Sequence, residues 1–240
     1  MITIQHRVSD VREWFKDLRI RNEFITDKTG CNTLEVIGAT FIADEPAIFG
    51  IVNKDYVRRE IEWYESQSRN VHDIPGGAPK AWIACASTEG MINSNYGWAI
   101  YSEENGNQYT NVRDELKRNP GSRRGNMIYT RPSMWTDYNV CGMSDFMCTD
   151  SVQYLIRGNQ LIANVKMRSA DAWAGYRNDK AWADYVHQKL ASDLGVSVGP
   201  MIWHAANLHL YERNFYLVDG FIQTGKHNLT LAEVQTLRMP

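Results

Sequence analysis

The 240-residue sequence predicts an α+β fold, one substantial sheet backed by helices, on three observations. The first is a hairpin. Val152, Tyr154 and Ile156 alternate with Gln153, Leu155 and Arg157, Gly158-Asn159 turns the chain, and Leu161, Ala163, Val165 and Met167 return on one face. The second is a helix over 179–194, with Trp182, Tyr185, Val186 and Leu190 at helical spacing and Gly195 as its stop. The third is a strand over 200–211. The other elements follow in order. A helix after Ser9 carries Val11, Trp14, Phe15 and Leu18 on one stripe. Residues 34–43 read as a strand and 53–67 as a helix. Residues 108–118 form a helix that stops before Pro120, and 126–130 a short strand. The Pro/Gly-rich stretch 72–80 reads as a long surface loop, not a linker, so a single domain over 1–240 is expected.

Composition bounds the function. Charges nearly balance, 26 Lys+Arg against 28 Asp+Glu, which removes any global reason to bind nucleic acid but leaves room for a local anion pocket. The longest apolar runs are about six residues, where a membrane span needs roughly twenty, and the N-terminus has no signal pattern. Four scattered cysteines, with neither Cys-x-x-Cys nor His-Glu-x-x-His, point to a reduced cytoplasmic protein without a disulfide framework or metal site.

Several side chains could carry chemistry, each beside a plainer alternative. Cys148 precedes a strand and is either a small buried hydrophobe or a nucleophile. Glu60 falls on the apolar stripe of Val57, Ile61 and Tyr64, whereas Glu62 and Glu65 point elsewhere. It is either a helix-edge carboxylate paired with an arginine or a carboxyl of raised pKa suited to proton transfer. Arg123 and Arg124 follow a turn and Arg168-Ser169 ends the return strand; these are surface charges or phosphate ligands. Asn207, His209 and Tyr211 share one strand face, as core polar groups or as the lining of a cavity. Asp179 reads as a helix N-cap unless a substrate claims it.

The order of these residues resembles the thymidylate synthase family, in its phage-type branch. The resemblance spans nearly the whole chain: Asp27-Lys28-Thr29-Gly30, Asn93-Ser94-Asn95-Tyr96-Gly97-Trp98, Ser122-Arg123-Arg124-Gly125, Gly142 to Thr149, Arg168-Ser169-Ala170-Asp171 and His209-Leu210-Tyr211. It implies a twisted mixed sheet with helices on one face, and a sheet-to-sheet homodimer with shared active sites. It implies that Cys148 is the nucleophile and Glu60 the catalytic acid. Arg168, Ser169 and Lys28 would hold the phosphate, with Arg123 and Arg124 donated across the dimer. His209 and Tyr211 would lie near the sugar hydroxyl, and Trp82, Tyr96 and Asp171 around the folate and the reacting base. The co-substrate implied is 5,10-methylenetetrahydrofolate, with no metal, nucleic acid or membrane as partner.

Departures from the family pattern narrow the substrate. The nucleophile segment reads Met147-Cys148-Thr149 where the family usually has Pro-Cys-His, and Lys28 stands in place of an arginine. Eleven residues beyond Arg168, where the family carries an asparagine that reads uracil, stands Asp179. An amide matches the acceptor oxygen and N–H of uracil; a carboxylate suits the amine of cytosine and a protonated ring nitrogen. The expectation is therefore one-carbon transfer to carbon 5 of dCMP with addition of water, giving 5-hydroxymethyl-dCMP for modified phage DNA in a host cytoplasm. The C-terminus, Thr236 to Pro240, lacks an obvious folate-closing tail, which favours water over hydride as the last acceptor. The alternatives are a 5-methyl-dCMP synthase, a dUMP-specific hydroxymethylase, or a non-catalytic nucleotide- or RNA-binding relative.

Overall fold

The computed structural model describes residues 2–26 and 30–237. In chain order the elements are α1 (Val8–Ile20), β1 (Ile25–Thr26), β2 (Asn32–Ile42), α2 (Lys54–Glu65), α3 (Lys80–Cys85), α4 (Tyr96–Tyr101), α5 (Gln108–Arg118) and β3 (Asn126–Ile128). They continue with α6 (Met134–Asp137), β4 (Thr149–Arg157), β5 (Gln160–Met167), β6 (Ala170–Asp171), α7 (Ala174–Leu194), β7 (Ser197–Tyr211), α8 (Phe215–Thr224) and α9 (Leu231–Leu237). The described chain forms two compact units. One draws on the segment up to Val52, Met167–Asp184 and the segment from Pro200; the other comprises Asn53–Lys166 and Tyr185–Gly199.

The first unit is built on a mixed sheet. β2 pairs antiparallel with β1 and with β7, in a register from Thr33↔Tyr211 to Ile42↔Ile202. The short β6 pairs parallel with β7 at Leu208 and His209. Leu34, Phe41, Trp203, Leu208 and Leu210 are buried, as are Val11 and Phe15 of α1; the buried side of β2 changes parity around Gly38, whose φ is 71°. Helix α1 starts at Val8 with Arg7 as its N-cap residue, two residues ahead of Ser9, where the Asp10 carboxylate reaches back to the Arg7 N–H at 2.7 Å. Arg12 is buried on this helix. It forms a two-pronged pair with Glu45, at 3.0 and 2.6 Å, and donates to the carbonyls of Ile48 and Ala47.

The second unit holds the hairpin. β4 and β5 are neighbours, and Gly158 and Asn159 both take positive φ, 56° and 63°, the mirror-image turn whose twist suits a two-residue hairpin. Leu161, Ala163, Val165 and Met167 are buried as their alternation requires. β3 pairs antiparallel with β4. Helix α4 lies so close to α2 that a Cβ on Gly97 would stand 1.8 Å from the Tyr64 carbonyl oxygen. The approach stacks Tyr64 on Tyr96 at 5.3 Å.

Three sequence expectations are corrected. Helix α7 begins at Ala174, not near 179, so Asp179 lies inside the helix and is not its N-cap residue; the Asp171 carboxylate accepts from Trp173 and Ala174 N–H at 3.0 and 3.2 Å at the helix start. Strand β7 begins at Ser197, ahead of Pro200. Stretch 72–80 is not wholly a surface loop. It overlaps a 3-10 turn at Val71–Asp73, and both Val71 and Ile74 are buried.

Candidate active site

Glu60 is the carboxylate that the stripe singled out, and it is 4% exposed. α2 turns it inward together with Trp63 and Tyr64. Tyr56, one turn earlier on the same face, donates a short hydrogen bond to Glu60 Oε1. The indole N–H of Trp82 lies 3.1 Å from that oxygen and 2.9 Å from the Tyr56 hydroxyl. Trp63 packs edge-on against Trp82 at 5.6 Å. Burial pushes the Glu60 carboxyl above the ordinary range, and the two donors only partly offset it. The result is a carboxyl that holds a proton more readily than a free glutamic acid and is wired to two polar rings. No arginine pairs with Glu60 in these bonds, which sets aside the helix-edge reading.

Cys148 sits half-buried one residue before β4, its Sγ 3.8 Å from the Phe146 carbonyl. Tyr96 is buried at the start of α4, stacked on Tyr64 and edge-on to Tyr129 at 5.4 Å. Cys85 is a contrasting thiol. Burial first, then the charges of Asp145 and Cys148, push it up to about 12, so it stays protonated and inert. Arg123 and Arg124 are exposed beside the buried Ser122, whose hydroxyl donates to Glu115 at 2.7 Å. Glu60, Trp82, Tyr96, Arg123, Arg124 and Cys148 thus all belong to the second unit.

The remaining candidates belong to the first unit. His209 and Tyr211 share a face of β7 with rings 4.9 Å apart, while Leu208 and Leu210 are buried on the other. His209 Nδ1 meets the Asn207 amide oxygen at 3.0 Å. An amide oxygen only accepts, so Nδ1 carries the hydrogen and Nε2 is left as an acceptor. Burial lowers the His209 pKa, against the upward pull of Asp171 and Glu35. The ring is therefore neutral near pH 7. Asp171 ends β6, three residues before α7, and Ala172 N–H ties that turn to the His209 carbonyl at 2.7 Å. Gly175 keeps the space between two acids open: a Cβ there would stand 3.2 Å from Asp171 Cβ and 3.7 Å from Asp179 Oδ2. Asp179 therefore projects from α7 on the Gly175 side. Arg168 is exposed and Ser169 half-buried just ahead of β6. Lys28 lies outside the described residues.

Sequence reasoning missed Tyr56, although its position four residues before Glu60 was a readable signal. It also missed Asp145, whose partners are more than fifty residues away in sequence. Among the described residues no three His, Cys, Asp or Glu side chains converge as a metal site, and no helix is long and apolar enough to cross a membrane.

Within the second unit a buried carboxyl and a half-buried thiol are groups suited to proton transfer and nucleophilic addition, and within the first the turn that carries Asp171 pairs with the histidine-bearing strand β7. The family model for thymidylate synthase matches residues 15–237, and the chain belongs to that family. Among its relatives, the deoxycytidylate 5-hydroxymethyltransferase of Enterobacteria phage T4 is 52% identical over 237 residues, covering 96% of each chain. The enzyme of the same name from phage T6 is 52% identical over 236 residues, covering 95% of this chain and 96% of that one. The solved thermostable thymidylate synthase A from Bacillus subtilis shares the fold, with a TM-score of 0.68 at 20% identity over 91% of this chain and 85% of that one.

Proposed function

We propose that this protein transfers a one-carbon unit to carbon 5 of dCMP and adds water to it, giving 5-hydroxymethyl-dCMP. The observation that carries the reading is 52% identity, across 96% of the chain, to a phage enzyme named for that transfer. The co-substrate in this reading is 5,10-methylenetetrahydrofolate, which supplies the carbon. The residues suit such a molecule: Asp171 offers a carboxylate fixed by two backbone N–H groups to the N–H edge of a pterin, and Trp82 offers a half-buried indole.

Carbon 5 of a pyrimidine is a poor nucleophile unaided. Addition of the Cys148 thiolate to carbon 6 moves the electrons of the 5,6 double bond onto carbon 5 and the ring edge. Asp179 accepts from the carbon-4 amine, and from ring nitrogen 3 once that is protonated, so negative charge developing on the ring is neutralised there. Against uracil the same carboxylate would meet an oxygen with no hydrogen between them, and a site built on paired hydrogen bonds rejects such a partner by up to about 10⁴-fold. Glu60, with its raised pKa, relays protons and positions the water that adds before Cys148 departs. Arg168, Ser169 and Lys28 hold the phosphate, joined by Arg123 and Arg124 from the second copy of a homodimer. Neutral His209 and Tyr211 face the sugar hydroxyl. The work is done in the cytoplasm of the host, before the nucleotide enters DNA.

Two substitutions test the reading. Cys148→Ala abolishes turnover and leaves dCMP binding in place; turnover that persists removes the nucleophile. Asp179→Asn lowers kcat/KM on dCMP and raises it on dUMP, moving the ratio by about 10²-fold or more. Activities that fall in parallel mean that Asp179 does not read the base.

A further inference from the structure

Asp145 is a buried carboxylate that the chemistry above does not use. It is 8% exposed, lies three residues before Cys148, and its side chain accepts hydrogen bonds from one short turn. Its Oδ2 accepts from the backbone N–H groups of Asn93 and Ser94, each at 2.7 Å, and its Oδ1 from the Ser94 hydroxyl at 2.8 Å. The Asn93 side chain returns the link, donating to the Asp145 carbonyl at 3.2 Å. The same amide oxygen of Asn93 is gripped by Arg69 at 2.9 Å and Arg131 at 2.8 Å, both guanidiniums lying over the ring of Trp98. That turn runs into α4, where the Asn95 side chain caps Trp98 N–H at 2.7 Å and Tyr96 is the first helical residue. The side chain thus fastens the segment bearing Cys148 to the segment bearing Tyr96.

We propose that Asp145 is a positioning residue for the reaction: its three accepted hydrogen bonds fix the height of the Cys148 thiol against the start of α4. The proposal rests on Cys148 being the nucleophile. Attack on an sp² carbon demands a placement for which an ångström of drift costs about 10²-fold in rate, so a nucleophile on a loop needs such a fastening. Charge is not what this role requires. An asparagine can restore every bond, its amide oxygen taking both N–H groups and its NH₂ donating to the Ser94 hydroxyl, which accepts as readily as it donates. A glutamate keeps the charge but is longer by one methylene and cannot sit at the same height.

Kinetics of Asp145→Asn and Asp145→Glu, with Tm for each, separate these roles. The expected result is a kcat within about fivefold of the parent for Asp145→Asn, and lower by about 30-fold or more for Asp145→Glu, with KM for dCMP steady within about threefold in both. Iodoacetamide labelling of Cys148, read by peptide mass, should change its rate in Asp145→Glu alone. Equal loss in the two variants would assign the effect to charge and overturn the proposal. An unchanged kcat in Asp145→Glu below its Tm would do the same, leaving a merely structural aspartate. Should Asp145→Glu fail to fold, Ser94→Ala removes the hydroxyl donor alone: kcat is then expected to fall about fivefold at steady KM, and an unchanged kcat overturns the proposal. Persistent turnover in Cys148→Ala would instead condemn the underlying nucleophile reading, whatever the Asp145 variants do.

Discussion

At Glu60 the burial of an ionisable group opposes stability. Its folded-state pKa is raised by burial, so the folded protein binds a proton there more tightly than the unfolded chain does. The sign follows: this group's contribution is fully present below the unfolded value, near pH 4.5, and is lost as pH rises through the folded value. As pH rises the ionised carboxyl therefore costs stability, a cost that the proposed proton-transfer role would explain. Glu60→Gln keeps an acceptor for Tyr56 and Trp82 and removes the titration. It should raise Tm at pH 7–8, by about 2–4 °C per kcal/mol regained, with the gain vanishing toward pH 4, while turnover collapses. Thermal scans from pH 4 to 8 check this; a Tm that falls at every pH would show that Glu60 is a structural carboxylate. Glu60 was legible in the sequence because a carboxylate on an apolar stripe breaks the helical pattern. Asp145 and Cys148 were legible only as a local string, since the partners that give Asp145 its meaning come from Asn93 and Ser94. The start of α7 was misplaced at 179 because residues Ala174 to Asn178, barely one turn, show no helical apolar period of their own.

Among the elements, the tightest constraint is the contact of α2 with α4. Gly97 has an ordinary backbone conformation, so its lack of a side chain serves closeness alone: any Cβ would overlap the Tyr64 carbonyl. Gly97→Ala should force α4 away from α2, break the Tyr64–Tyr96 stack and cost about 1–3 kcal/mol or more, read as a lower denaturation midpoint at constant m. A midpoint equal to the parent would mean that the helices are not seated this closely. The long elements α1, α2, α5 and the β4–β5 hairpin could be read from period and turn chemistry. α3 and α4 escaped because six residues are too short to show a period. α8 escaped because it is apolar on most sides: Phe215, Leu217, Val218 and Gly220 are all buried.

For the molecule as a whole, the proposed function has each active site completed by a second copy. Arg123 and Arg124 are exposed, available to reach beyond their own chain. Mixing inactive Cys148→Ala with inactive Arg124→Ala under subunit exchange should therefore restore about a quarter of parental activity, since half the dimers are mixed and each has one intact site. Activity that stays at zero although exchange is proven by mass would place Arg124 in its own chain's site. The family was readable from the joint order of short motifs, none specific alone, whereas the two-unit division was not, because each unit is assembled from segments far apart in sequence.

The central claim is that a carboxylate selects cytosine and that water, not hydride, ends the reaction. Product mass tests it most directly, with dCMP and dUMP offered separately beside 5,10-methylenetetrahydrofolate. A gain of about 30 daltons on dCMP, with little or no product from dUMP, is expected. A gain of about 14 daltons, or equal turnover of dUMP, would contradict it.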